Sequence, residues 1–351
     1  MDNSFEVKHA HNRWYGLVAV YSLTHFLVDF ACAFMMFRFI AGTKEGYLCV
    51  LLYNFCAFAM QMPIGIIADK LNRNSLVAIA GCILVAAAYG FTGIPYMATI
   101  VIGLGNAMFH IGGGIDVLNI SEIKLGALGV FVSPGAFGIY FGTMLGRQGG
   151  LSVLVVPLAI VAAIVLILAV FKAQRGTYPK NAAFTLEGIG SGRILAAIAC
   201  FFLVVCVRSF VGLALDFSWK GIGQWGNVLI CAVVFGKTLG GFAADRFGTV
   251  KTAVISLALS AILFLFPVSP PSGVAAVLLF NMTMPITLWA LAKIMPGAKG
   301  FAFGLLTFGI FIGFLPVYLG SEVSSVANWL FALLAAVSLV VLWLGLRRAI
   351  K

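Results

Sequence analysis

Gly65-Ile66-Ile67-Ala68-Asp69-Lys70 recurs in the second half of the chain as Gly241-Phe242-Ala243-Ala244-Asp245-Arg246. In both copies an apolar run ends on a small residue, an acid and a base. Sliding the chain on itself until Gly65 meets Gly241 brings, to within a residue or two, Asn106 to Asn281 and Gly126 and Gly135 to Gly300 and Gly309. A register kept over so much of the chain points to two copies of one unit. The runs around the repeat say what kind of unit it is. Of 351 residues 62% are hydrophobic and 9% charged, too few charges to coat a soluble domain of this size. The charges cluster between apolar runs of about 17 to 25 residues, each long enough to cross ~30 Å of hydrocarbon.

Twelve such runs are read, at Trp14 to Ile40, Tyr47 to Ala68, Ser75 to Gly93, Tyr96 to Ile120, Gly126 to Leu145, Leu151 to Phe171, Ile194 to Leu215, Trp225 to Ala244, Thr252 to Phe266, Val274 to Met295, Phe301 to Leu319 and Ala327 to Leu346. The expected fold is an all-α membrane protein of twelve transmembrane helices in two pseudo-symmetric six-helix bundles, 1–171 and 194–351, joined by a cytoplasmic linker, 172–193. Threaded alternately, the chain leaves Arg38, Lys44, Arg147 and Lys220 on one face, with Arg208 and Lys237 inside spans. The other basic residues, including Lys70, Arg73, Arg175, Lys180, Arg246, Lys251, Arg347 and Arg348, share the opposite face. That face is therefore cytoplasmic, with both termini on it, and the expected location is the cytoplasmic (inner) membrane. The net charge of +11 reads as an orientation signal, so no nucleic-acid partner is expected. No cleaved signal peptide is expected, because the first run is too long and lacks a small-residue cleavage site. The seven cysteines lie in or at the ends of apolar runs and read as small packing residues, not as a disulfide framework.

Gly65-x-x-Ala68-Asp69-Lys70-x-x-Arg73 resembles the signature between helices two and three of the major facilitator superfamily, and Gly241-x-x-Ala244-Asp245-Arg246-x-Gly248 resembles its echo between helices eight and nine. The resemblance spans the chain and implies alternating access between two bundles that rock about a central site. It also implies that Asp69, Lys70, Arg73, Asp245 and Arg246 form a conformational lock, the acids held by helix dipoles and by neighbouring bases in one access state. His25-Phe26-Leu27-Val28-Asp29 in span one and Gly103-Leu104-Gly105-Asn106-Ala107-Met108-Phe109-His110 in span four resemble the fosmidomycin-resistance type of exporter. Ile111 stands where that group often has Pro. Ala98-Thr99-Ile100 lacks the Arg that many proton-driven drug exporters carry early in helix four. Gly129-x-x-x-Ser133-Pro134-Gly135-x-x-Gly138 resembles an antiporter signature with Ser replacing one Gly.

An Asp, Arg or Lys near a bilayer centre costs ~2.5 to 3.5 kcal/mol on insertion scales, so Asp29, Arg208 and Lys237 mark function. His25 and Asp29, four apart on one helix face, read as the proton-coupling pair. Lys237 has no acid in its own half at its depth, and Arg208, at a depth similar to Asp29, could hold an anionic solute when that pair opens, which together point to an anionic solute. Arg208 could alternatively gate against Asp29. Tyr21, Asn106, His110 and Asn281 complete the expected substrate lining, with Asn54, Gln61, Tyr140 and Trp289 as further polar candidates. The leading expectation is a secondary transporter exporting a small organic anion in exchange for protons, as a monomer, with no cofactor or resident metal. A cationic-drug/proton antiporter is the alternative. A divalent-metal carrier built on His25, Asp29, His110 and Cys206 is a third reading. An enzyme is not expected, since neither Gly-x-Ser-x-Gly nor His-Glu-x-x-His occurs.

Overall fold

In lipid no water satisfies backbone N–H and C=O groups, so a chain this apolar must close its hydrogen bonds within helices. The computed structural model describes residues 3–122, 124–173, 182–186, 190–320 and 328–349, and these are helical apart from short connections. Eleven helical segments are long and apolar enough to cross a membrane: α1 (Tyr15–Ile40), α2 (Gly46–Leu71), α3 (Asn74–Phe91), α4 (Pro95–Ser121), α5 (Gly126–Gln148), α6 (Val155–Lys172), α7 (Gly192–Ala214), α8 (Trp225–Phe247), α10 (Pro270–Ile294), α11 (Lys299–Leu319) and α12 (Trp329–Ala349). The twelfth, α9 (Thr249–Leu263), is shorter, at 15 residues, and begins three residues earlier than the hydropathy places it. Half of the expected linker, 172–193, lies outside the described residues, Arg175 and Lys180 included.

The tight connections that carry the repeated motif have a local cause. Asn72 closes α2 in the left-handed conformation (φ 50°), its N–H returning to the Ala68 carbonyl at 2.9 Å. Gly248 closes α8 at φ 91°, its N–H returning to Ala244 at 2.9 Å. Both residue types tolerate positive φ, so α3 and α9 can start at once and the preceding Asp is held at one end of the bundle. That end is here called the basic face.

Two six-helix bundles, α1–α6 and α7–α12, make up the molecule. Within the first, α1 packs against α5 and α3 against α4; within the second, α7 packs against α11 and α12, and α8 against α10. Between the bundles α2 meets α11 and α5 meets α8, contacts that the internal repeat exchanges. Small residues set these crossings, since helices without a hydrophobic drive associate through close backbone packing. A Cβ at Gly65 would strike the Gly300 backbone, and Gly129 faces the Gly241 Cα and the Lys237 carbonyl.

Three spans are broken near mid-depth. A π turn, Phe55–Ala59, interrupts α2; Ser133-Pro134 divides α5; Met282 divides α10. The π turn alters the helix phase, so Asn54 and Gln61 do not form the shared face that α-helical spacing predicts. Each amide instead donates to its own helix, Asn54 Nδ2 to Val50 O at 2.8 Å and Gln61 Nε2 to Ala57 O at 2.6 Å.

Candidate functional site

His25 and Asp29 face α4, and His110 comes to them from that helix. His25 Nε2 is 3.2 Å from Asp29 Oδ2, His110 Nε2 is 3.7 Å from Asp29 Oδ1, and the two Nε2 atoms are 2.9 Å apart. All three residues are buried. Asn106, one turn before His110, donates from Nδ2 to Asp29 Oδ1 at 2.9 Å. The rings are oriented from behind: His25 Nδ1 donates to the Phe131 carbonyl at 2.7 Å and His110 Nδ1 to the Asn106 carbonyl at 2.9 Å. Phe131 and Val132 lie beside the break in α5, and the Val132 carbonyl accepts from Lys237 Nζ at 3.3 Å across the bundle interface. The break thus presents one carbonyl to the histidine pair and the next to a cation of the other bundle.

The three ligand-capable atoms of His25, Asp29 and His110 lie within 4.8 Å of one another, close enough to share one cation, a proton or a metal ion. Cys206, on α7, is not in this cluster, so the metal set expected from sequence is not assembled as a foursome. All seven cysteines are free.

A cavity of ≈ 880 Å³ opens between α5, α7, α8 and α10. Arg208 and Asn281 lie on its wall with Tyr140, and Arg147, Gln148 and Lys220 carry it to the end of the bundle opposite the basic face. Apolar side chains supply most of the remaining surface, including Val211, Leu229 and Phe280. Arg208 is anchored from one side, Nη2 donating to Thr283 Oγ1 at 3.0 Å and Thr287 Oγ1 at 3.1 Å. Its Nε has no hydrogen-bond partner among the described residues. None of the ion pairs among the described residues includes Arg208 or Lys237, so Asp29 and Arg208 do not form a closed gate in this state. Tyr140 bonds across the interface to Asn227.

The basic face is closed. Asp69, at the end of α2, accepts from Gly300 N at 2.8 Å and Phe301 N at 2.9 Å, capping α11 in the other bundle. Asp245, at the end of α8, accepts from Leu125 N and Gly126 N, both at 2.8 Å, capping α5 in the first bundle. Each carboxylate satisfies orphan N–H groups at the positive end of a helix dipole. Lys70, Arg73 and Arg246 form no ion pair with either acid among the described residues; Lys70 lies 5.3 Å from the Phe184 ring instead. Acids expected to pair with neighbouring bases therefore pair with backbone across the interface. Lys299 adds a strut that the motifs do not include, bonding Asn119 Oδ1 at 2.7 Å and Glu122 at the end of α4.

Of the residues expected to line the solute site, Arg208, Asn281 and Tyr140 are on the cavity wall; Asn106 and His110 gather at Asp29, Lys237 bonds the α5 break, and Tyr21 and Trp289 sit elsewhere. Tyr21 is wholly buried, its hydroxyl donating to Asp116 Oδ2 at 2.8 Å, while Asn74 Nδ2 donates to the other oxygen at 2.8 Å. Trp289 lies under Lys293 Nζ at 4.6 Å beside a smaller cavity near Lys299, toward the basic face. Asp116 itself went unread, although a carboxylate inside a predicted span was signal enough. The Thr283-x-x-x-Thr287 spacing was also readable, because i and i+4 share a helix face.

No family model matches the chain, and no curated protein sequence matches it. Its fold is that of solved major facilitator structures. It superposes on a Major Facilitator Superfamily (MFS) transporter, FucP, in the outward conformation, with TM-score 0.67 and 14% identity over 95% of this chain and 99% of that one. It also superposes on the human organic anion transporter MFSD10 (TETRAN), with TM-score 0.69 and 15% identity over 94% and 99%. A third is a bacterial homologue of iron transporter ferroportin in the outward-facing state, with TM-score 0.62 and 15% identity over 95% and 98%. At these identities the likeness is one of fold.

Proposed function

We propose that the chain is a secondary transporter of the major facilitator superfamily that moves a small organic anion by alternating access, exporting it across the cytoplasmic membrane in exchange for protons. The basic face is cytoplasmic and carries both termini, so the cavity opens to the exterior. Asp69 and Asp245 lock the cytoplasmic side shut by capping α11 and α5 across the interface, and His25 with Asp29 takes the coupling proton. Export follows from the motifs of spans one and four, which resemble the fosmidomycin-resistance type of exporter, and exchange from the span-five motif, which resembles an antiporter signature.

The observation that carries the reading is Arg208. It is a guanidinium with no carboxylate counter-ion among the described residues and an unpartnered Nε, on the wall of a largely apolar cavity. A planar carboxylate or a phosphonate matches that donor set, and the apolar wall takes an organic body. The lining residues include Arg147, Arg208 and Lys220 but no acid, which counts against the cationic-drug alternative.

Thermal melting of the purified protein with benzoate, methylphosphonate, inorganic phosphate, tetraphenylphosphonium, and Mn²⁺ or Zn²⁺ salts tests the class of solute, because binding to the folded state raises the melting temperature. Stabilisation by the organic anions is expected, with affinity falling about ten- to a hundredfold in Arg208→Ala as charge-assisted hydrogen bonds are lost. Stabilisation by tetraphenylphosphonium alone, or anion binding indifferent to Arg208→Ala, would reject the anion reading. In proteoliposomes Asp29→Asn should keep anion counterflow and lose accumulation driven by a pH gradient.

A further inference from the structure

The two histidines set a problem of proton counting. Each Nδ1 faces a backbone carbonyl, which can only accept, so each Nδ1 carries hydrogen. In neutral rings both Nε2 atoms are then bare lone pairs, yet they face one another at 2.9 Å, a hydrogen-bond length. Two lone pairs repel at that distance, and one proton between them turns the repulsion into an Nε2–H···Nε2 bond. Asp29 lies beside both nitrogens, at 3.2 and 3.7 Å, so its carboxylate offsets the charge that proton brings.

We propose that a single proton is shared between His25 Nε2 and His110 Nε2 above the Asp29 carboxylate, and that this shared proton is the coupling ion. The proposal rests on the proton-coupled reading above and moves His110 from the solute to the proton. Loaded, the triad is neutral; unloaded, it is a bare carboxylate. The other groups facing it are Cys32, which accepts from Asn106 Nδ2 at 3.5 Å, Tyr53 on α2, and Lys237 on α8, the last two within electrostatic reach of Asp29. Of these only Lys237 is a cation and only Lys237 belongs to the other bundle. Proton release therefore leaves an anion on the first bundle facing an ammonium on the second, with the α5 break between them. That attraction joins the protonation state to the angle between the bundles. A divalent metal fits the same three atoms less well, since with one carboxylate it leaves a net positive charge facing the Lys237 ammonium.

The chain holds four histidines, which suits ¹⁵N-histidine NMR on the full-length protein in nanodiscs after dialysis against EDTA. Two rings should show protonated Nδ1 and one strongly deshielded proton coupled to both Nε2 atoms. That proton signal should vanish in His25→Gln and in His110→Gln, while melting temperature and gel filtration report folding of each. Rings that carry separate Nε2 protons, His25 signals indifferent to His110→Gln, or a coupled signature seen only before EDTA treatment would each overturn the shared proton. Uptake of benzoate or methylphosphonate driven by a pH gradient completes the test, and His110→Gln should drop it to the gradient-free control. If Asp29→Asn loses gradient dependence while His110→Gln keeps it, proton coupling stands and the shared proton falls. If all three variants keep it, the coupling reading itself falls.

Discussion

Tyr21 and Arg208 illustrate what a single residue's neighbours decide. Sequence spacing put Tyr21 one turn from His25 and so beside the solute. Its ring packs edge-on against Phe109, Phe131 and Phe171, and its hydroxyl serves Asp116. Tyr21→Phe removes a hydroxyl donor from the buried Asp116 carboxylate, a loss of about 1–3 kcal/mol. The expected outcome is a lower melting temperature with anion affinity unchanged in the binding assay, and a variant that melts normally but binds anion weakly would return Tyr21 to the solute site. Helical spacing could give the face of α1 on which Tyr21, His25 and Asp29 lie. It could not say that the lower part of that face meets Asp116, because that depends on how far α4 is slid along α1. Arg208 was readable for the opposite reason. A guanidinium inside a span carries its cost wherever the helices are placed, so its presence alone argues for a polar partner.

At the scale of helices, the informative unit is the end. Asp69 and Asp245 were readable as a pair because the repeat prints them twice, and the short loops follow from Asn72 and Gly248. Their partners, the first N–H groups of α11 and α5, were not readable, since backbone donors leave no mark in the sequence. An N-cap contributes about 0.5–2 kcal/mol, and here each cap also ties one bundle to the other. Losing ~1 kcal/mol shifts a two-state equilibrium about fivefold, so Asp69→Ala and Asp245→Ala should each enlarge the population open at the basic face. Hydrogen–deuterium exchange reads this directly. Asp69→Ala should speed exchange at Gly300 and Phe301, and also at Leu125 and Gly126, whose own cap is intact. Faster exchange confined to the uncapped helix would mean two independent local caps and no shared lock. The two breaks differ in legibility: Pro134 marks the one in α5, and nothing in Phe55–Ala59 marks the π turn in α2.

On the scale of the whole molecule, the two interfaces are not equivalent along their length. Spans α2 and α11 touch at both ends, through Gly65 and Gly300 near the basic face and through Tyr47 and Tyr318 near the other, whose rings stack at 4.9 Å while the Tyr318 hydroxyl donates to the Tyr47 backbone carbonyl at 2.7 Å. Spans α5 and α8 touch closely at Gly129, Gly241 and the Ser133–Thr238 hydrogen bond, and beyond that point they line the cavity, bridged by Tyr140 and Asn227. If the bundles rock as rigid bodies, opening the basic face must close the cavity mouth, because tightly packed bundles transmit a rotation instead of absorbing it. Spin labels at Gln148 and Lys220 report the mouth; labels at the exposed Leu71 and Phe247 report the basic face. In Asp69→Ala/Asp245→Ala the Leu71–Phe247 distance should lengthen while the Gln148–Lys220 distance shortens, the two populations moving in equal proportion. Both distances lengthening together would describe loosening of the helix packing, and a change at one end alone would describe a local gate. Only the reciprocal change is alternating access, and it would arise from two carboxylates at the end of the molecule away from the cavity mouth.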